Sequence, residues 1–424
     1  MFGKHPKGLI VLFFTEMWER FGFYTLMAIF VLYMDREFKW DDSFKGSIYG
    51  IFLLLCYLFP IVGGWLGDRV LGPKKTILIG ATMMAVGYAA FAASSIERIP
   101  LFFLGVALVS IGTGIFKTNV SVMVGNLYSQ NDPLKDAGFN IYYMGVNVGA
   151  MLAPLAATVI SIVYNSYNFS FAAAGIGMVL SIVFFVIGQK NICEHSSVGA
   201  ARESEISAKL QSEINENRQR VFTLAILFSI VIFFWVAFYQ NGFALTLFAE
   251  RSTVSYDFLR PETYQFFNPF FILLLTPLMV SWFARLREKG KEPSSPTKIF
   301  WGMFISGFSM IVMIFAASAG GDLDQRIMSP WWLISSYFVV TIAEILVSPM
   351  GLSFVSKVAP RRWQGLMMGF WFFATSLGSY GSGLLGKFYS ILTHHDYYMI
   401  LSAMLFLSSV LVLVFKKKLS RFAT

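Results

Sequence analysis

Twelve continuous apolar runs dominate the chain, near residues 8–34, 44–67, 75–94, 100–124, 138–164, 168–188, 221–248, 263–285, 298–316, 330–355, 366–390 and 396–416. Each is long enough to cross ~30 Å of hydrocarbon as an α-helix. Apolar and polar residues do not alternate within the runs, which also far exceed the ~10 residues of a barrel strand, so the pattern predicts helices. One long hydrophilic stretch, residues 189–220, separates the first six runs from the last six. Within it, residues 205–220 read as a charged, weakly amphipathic helix between two bundles, a linker rather than a signalling or partner-binding element. The expected architecture is an all-α integral membrane protein of twelve transmembrane helices. Its parts are an N-terminal six-helix bundle over 1–188, a cytoplasmic linker over 189–220 and a C-terminal six-helix bundle over 221–424. A layout of six plus six helices suits a secondary transporter with its binding site between the halves, near the bilayer midplane.

Composition strengthens this reading. Of 424 residues, 56% are hydrophobic, 17% aromatic and only 13% charged, too little polar surface to coat a soluble globule. The net charge of +9 would suggest nucleic-acid binding in a soluble chain. Here the positive charges follow the loops instead. With the N-terminus placed in the cytoplasm, 23 Lys and Arg fall on that side, 7 on the other and three inside spans. Both termini are therefore expected to be cytoplasmic. No nucleic-acid partner is expected. The chain is expected to reside in the plasma membrane, which is the inner membrane of a Gram-negative cell. Cys56 and Cys193 offer no disulfide framework, and His5, His195, His394 and His395 show no metal-ligand spacing. The first apolar run is too long, and carries central charges, for a cleavable signal peptide. No P-loop is present, so ATP is not an evident energy source.

Five ionisable residues lie near the middle of the apolar runs: Glu16, Glu19 and Arg20 in span 1, Lys117 in span 4 and Glu344 in span 10. Counted from the cytoplasmic ends, their depths agree at roughly 13–17 Å, near mid-hydrocarbon. Charges there are costly and need a partner or a task. Glu16 and Arg20 are four residues apart and share a helix face, so they are expected to pair. Glu19 points about 100° away, toward Lys117 or a proton. The alternative is a charge network that merely locks helices together. Three acids against two bases leave one carboxylate over, free to bind a proton or a substrate amine. Both bases lie in the first half while Glu344 stands alone in the second, a separation that a zwitterion could bridge.

These residues also sit in recognisable motifs. Span 1 reads Glu16-Met-Trp-Glu19-Arg20-Phe21-Gly-Phe23-Tyr24, which resembles the E-x-x-E-R-F-x-Y-Y motif of the proton-dependent oligopeptide transporters, the POT family of the major facilitator superfamily. Gly67-Asp68-Arg69, Phe116-Lys117-Thr-Asn119-Val-Ser121 and Tyr142-Tyr143-Met-Gly-Val-Asn147-Val-Gly149 continue the likeness. So do Phe234-Trp235, Gln240, Gly242, Asn268-Pro269, the run from Glu344 to Pro349 and Met368-Gly369-Phe370-Trp371.

The resemblance implies the major facilitator fold and import of di- and tripeptides by proton symport, with protons as coupling ion and no other cofactor. Glu16, Glu19, Arg20 and Lys117 would carry proton coupling. Peptide-binding positions would be Tyr24, Tyr57, Lys117, Asn147, Trp235, Asn268, Glu344, Ser348 and Trp371. Glu344 would take the peptide amine and Lys117 would face its carboxylate. Asp68 and Arg69, followed by Gly72-Pro73-Lys74-Lys75, resemble the superfamily's loop motif and read as a gate. Partners are short peptides and the lipid bilayer, and the chain is expected to act as a monomer. The rival within transporters is another small amine-bearing solute, such as an amino acid or peptide-like drug, on the same fold. A membrane enzyme lacks support, since no nucleophile–base pair or H-E-x-x-H motif occurs. Three departures stand out: Phe23 for the motif's first tyrosine, Met27 where many members have a second arginine, and Tyr239 for the usual span-7 acid. The two extra helices that many bacterial members carry between the halves are also absent.

Overall fold

The computed structural model describes residues 5–128, 134–192, 210–360 and 363–421. Twelve long helices account for most of them. The first half holds α1 (Lys7–Glu37), α2 (Asp42–Arg69), α3 (Pro73–Ala93), α4 (Ile99–Asn126), α5 (Lys135–Tyr164) and α6 (Asn168–Gly188). The second holds α7 (Leu210–Phe238), the short α8 (Ala244–Arg251), α9 (Phe267–Glu288), α10 (Ser295–Ser318), α11 (Pro330–Val358), α12 (Gln364–Gly386), α13 (His394–Val414) and the short α14 (Lys416–Ser420). Among the described residues no strand ladder forms, only isolated bridges such as Thr253 to Met328.

The helices start and stop where local chemistry requires. Asp41 caps α2 by accepting from the Phe44 amide at 2.9 Å, and Thr393 caps α13 by accepting from Asp396 N at 3.1 Å. Pro73, Pro296 and Pro330 occupy first-turn positions, where a missing N–H costs nothing. Among the described residues, ten helical segments are long and apolar enough to cross a membrane. The long helices outside that set are α1, which carries Glu16, Glu19 and Arg20, and α12, which is rich in Gly and Ser.

Two expectations on span 7 change. The apolar run 221–248 is not one helix: α7 ends at Phe238, a 3-10 turn spans Tyr239–Gly242, and α8 follows. The break is stable because its freed groups find partners. The Tyr239 carbonyl accepts from Tyr49 Oη at 2.8 Å, the Asn241 carbonyl from Thr246 Oγ1 at 2.8 Å, and Gln240 bonds Ser382 O and Tyr397 Oη. The charged segment expected over 205–220 is, from Leu210 onward, the first turns of α7 itself and runs straight into the span. Residues 193–209 lie outside the described residues.

Helices α1–α6 pack on one another, as do α7 and α9–α13. The two groups meet mainly through α2 on α12 and through α5 on α9 and the turn before it. Glycines allow the closest approach. A Cβ at Gly383 of α12 would overlap the Gly46 carbonyl and Gly50 Cα of α2, so only a hydrogen fits. Among the described residues, the bonds and ion pairs joining the halves lie at the midplane or toward the end away from the termini. The described contacts between the halves are thus concentrated at the midplane and at that far end.

Candidate functional site

The apolar environment of α1 leaves its three charges no water, and they satisfy one another. Glu16, Glu19 and Arg20 are 1%, 0% and 3% exposed. The Arg20 guanidinium forks onto Glu19, with Nη2 to Oε1 at 2.7 Å and Nε to the other oxygen, while Glu16 Oε1 lies 3.3 Å from Nε. The expected Glu16–Arg20 pair is present, but Glu19, expected to turn toward Lys117 or a proton, is instead the closer partner of Arg20. The long arginine side chain folds back along the helix and meets the carboxylate with two parallel bonds, stronger than a single contact. Glu16 Oε2 is buried and has no hydrogen-bond partner among the described residues. Arg20 also lies over the Phe23 ring, 5.1 Å from its centroid, so the departure from tyrosine leaves a cation–π contact where a hydroxyl would be.

Lys117 of α4 lies within electrostatic reach of Glu16, Glu19 and Arg20. It makes no ion pair within 4.0 Å among the described residues; its ammonium instead sits over the Tyr57 ring at 5.2 Å. Tyr57 in turn packs on Tyr239, with centroids 5.7 Å apart, and Tyr239 on Trp235 at 5.8 Å. The span-7 departure therefore builds an aromatic wall beside the lysine. Tyr24 and Asn147 complete this side; Asn147 Nδ2 donates to the Tyr143 carbonyl at 2.9 Å.

Across the space stands Glu344 of α11. Its Oε2 accepts from Asn268 Nδ2 at 2.8 Å, and no Lys or Arg nitrogen comes within 4.0 Å among the described residues. Tyr24 and Tyr143 of the first half lie within its electrostatic reach. Ser348, half-buried, follows one turn along the same face. Not every expected position lines the space. Trp371 is 2% exposed, its ring pressed on the backbone of Gly351, where any Cβ would clash. In this conformation it packs α12 on α11. Asp68 and Arg69 are exposed at the end of α2 and contact nothing across the halves among the described residues. Met27 is buried, and its carbonyl accepts from Gln265 at 3.2 Å.

Sequence reasoning missed the far-end closure. Arg251 bonds Asp42 twice and Asp35 once, and Lys45 bonds both aspartates. Arg36 clasps Glu250 at 2.9 and 3.0 Å, and Arg326 adds a bond of 3.1 Å to the same carboxylate. Glu262, 0% exposed, accepts from Ser161 and from Tyr167 at 3.2 Å, while Thr158 and Thr263 share a bond of 2.7 Å. The only signal in the sequence was acid–base clusters flanking spans 1, 2 and 7 on one side, which read as ordinary loop charges.

The geometry matches known transporters. A sequence model described as "POT family" matches residues 74–201 and 194–400, together most of the chain. The chain belongs to the POT family. Dipeptide and tripeptide permease A of Chromobacterium violaceum is 30% identical over 425 residues, covering 90% of this chain and 84% of that protein. Peptide transporter YePEPT of Yersinia enterocolitica is 30% identical, covering 91% and 88%. The crystal structure of a mutant peptide transporter POT in complex with alafosfalin superposes with a TM-score of 0.87 at 28% identity, covering 100% of this chain and 97% of that one. This POT-family chain therefore has the major facilitator fold and is a multi-pass membrane protein. The Asp, Arg and Glu residues closing its far end join the two bundles on which that fold is built.

Proposed function

We propose that this protein is a proton-coupled symporter that imports di- and tripeptides by alternating access. The observation that carries the reading is the separation of charge across the space between the bundles. Glu16, Glu19, Arg20 and Lys117 stand on one side, and Glu344 with Asn268 stands on the other, with the far end sealed. A short peptide has an ammonium and a carboxylate at opposite ends, and each loses hydration on entering such a space. A fixed opposite charge must replace that hydration or the cost is several kcal/mol. Glu344 takes the ammonium; Lys117, with Arg20 behind it, takes the carboxylate. Tyr24, Tyr57, Asn147, Trp235 and Ser348 supply the remaining surface. Trp371 joins them only if α12 moves on α11.

Once Lys117 faces the peptide carboxylate, Glu16 and Glu19 exceed Arg20 by one negative charge, so one proton neutralises the cluster, and Glu16 Oε2, without a hydrogen-bond partner among the described residues, offers it a seat. The proton gradient is then the energy source, and no other cofactor is needed. The role is transport rather than catalysis. The bias of Lys and Arg supports both termini lying in the cytoplasm of the plasma membrane, and the ion pairs between the halves at the opposite end support reading this state as inward-facing. Asp68 and Arg69 lie at that open end and act as a gate when it closes. Residues 189–220 join the two bundles, and a single chain contains the whole site and works as a monomer.

Uptake into proteoliposomes under an imposed pH gradient, competed with a panel of dipeptides, tripeptides and single amino acids, tests the function. Gradient-dependent uptake competed by peptides and not by amino acids is the expected result. Competition by amino acids alone would replace peptides with the smaller solute.

A further inference from the structure

Behind Glu344 a chain of hydrogen bonds runs through a residue that faces no substrate. Thr341, 0% exposed, lies one turn before Glu344 on α11. Its Oγ1 is 2.7 Å from the Tyr337 carbonyl, which can only accept, so the Thr341 proton is committed there. The hydroxyl therefore offers a lone pair to its other neighbour, the Asn268 amide at 3.1 Å. Only the NH2 end of that amide can answer a lone pair. Asn268 Nδ2 has two hydrogens: one goes to Thr341 and the other to Glu344 Oε2 at 2.8 Å. Its Oδ1 takes no partner among the described residues. With the amide reversed, two acceptors would face each other at Thr341, an arrangement the buried site cannot relieve with water.

We propose that Thr341 is a positioning residue for substrate recognition: its hydroxyl fixes the amide orientation of Asn268, so that Asn268 Oδ1 and the remaining Glu344 oxygen form a paired acceptor for the substrate ammonium. This rests on the reading of Glu344 as the amine site. An ammonium has three donors; the Glu344 carboxylate favours the same amide orientation, and the Thr341 hydroxyl is the second acceptor that holds it when the substrate ammonium or a proton draws on that carboxylate. The Thr341 hydroxyl disfavours the reversed amide without touching the substrate.

The test is competition for labelled dipeptide uptake in proteoliposomes by Ala-Ala and N-acetyl-Ala-Ala. Thr341→Val keeps the shape and loses the hydroxyl; Thr341→Ser keeps the hydroxyl; Thr341→Ala is carried alongside in case valine alters packing. The expected result is a roughly 5–10-fold weaker competition by Ala-Ala in Thr341→Val and Thr341→Ala, the loss of about one hydrogen bond. Competition by N-acetyl-Ala-Ala should not change, and Thr341→Ser should stay close to wild type. If Thr341→Ser is as weak as Thr341→Val, or both peptides weaken together, the role is packing and the proposal falls. Glu344→Gln separates the two levels. Should it discriminate between the peptides while Thr341→Val does not, only the Thr341 role is overturned. Should Glu344→Gln itself fail to discriminate, the amine reading falls and this proposal with it.

Discussion

Arg251 and Asp42, 209 residues apart, are joined by two bonds of 2.8 Å that hold the second bundle against the first. Asp42 is 3% exposed, while the Arg251 side chain is 22% exposed, so the pair lies between the surface and buried limits. Breaking it should weaken the sealed end by roughly 1–3 kcal/mol. Spin labels at the exposed Ile96 and Leu323, one on each half at that end, report the change. Arg251→Met or Asp42→Asn should enrich the longer distances at least several-fold. An unchanged distribution would mean that other contacts close this end.

The glycine contact between α2 and α12 makes a sharper demand. Gly383→Leu places a side chain where the Gly46 carbonyl and Gly50 Cα already lie. The sealed conformation should become inaccessible, and the same label pair should report only long distances. Concentrative uptake should be lost while the protein remains folded by circular dichroism. Normal uptake would show that the helices separate without cost.

In the α1 cluster, Glu16→Gln or Glu19→Gln should abolish proton-driven accumulation yet leave some peptide counterflow, because exchange without net proton movement needs no titration there. Full accumulation in both single variants would remove the cluster from coupling.

Glu344→Gln should weaken free-amine dipeptides by about 2 kcal/mol, the lower end of the 2–5 kcal/mol range for fully buried pairs, because Glu344 is only half-buried. N-acetylated peptides should bind poorly to wild type and lose little further. Blocking the carboxylate end should hurt less than blocking the amine, since Met27 leaves fewer positive charges there. Equal tolerance of N-acetylated and free peptides would dismiss Glu344 as the amine site.

The loop between α9 and α10 makes a prediction about pH. Hydrogen bonds from Arg287 at 2.6 Å and Lys298 at 2.6 Å hold the Glu292 carboxyl at about 2, below its ordinary 4.5. A depressed carboxylate contributes stability that is full above 4.5 and lost as pH falls through about 2. Amide exchange in residues 288–294 should therefore keep the same protection from pH 7 to about 5, after correction for intrinsic rates. In Glu292→Gln the protection should be lower throughout that range. Equal protection in the two proteins would show that these contacts do not order the loop.

The twelve spans, the odd charges at one depth and the family motifs were all legible in the sequence. The bilayer makes them so: a spanning segment must satisfy its own backbone, so its length and polarity are written locally. The same holds for Glu16, Glu19, Arg20, Lys117 and Glu344, because any charge in an apolar run announces itself. Helical periodicity alone could not tell that Arg20 grips Glu19 as well as its i, i+4 partner Glu16, since that depends on how a flexible side chain is boxed in by neighbouring helices. Nor could the sequence say that Trp371 lies against Gly351 or that the run 221–248 breaks at Tyr239, where Tyr49 from the other half caps the opened turn. The seal at the far end was equally hidden. Asp42, Arg251, Arg36 and Glu250 are ordinary loop charges until folding brings residues about 210 positions apart into contact. Local backbone requirements determined what crosses the membrane; only the packing of one bundle on the other decided which charges meet, because an ion pair's strength depends on distance and burial that no stretch of sequence contains.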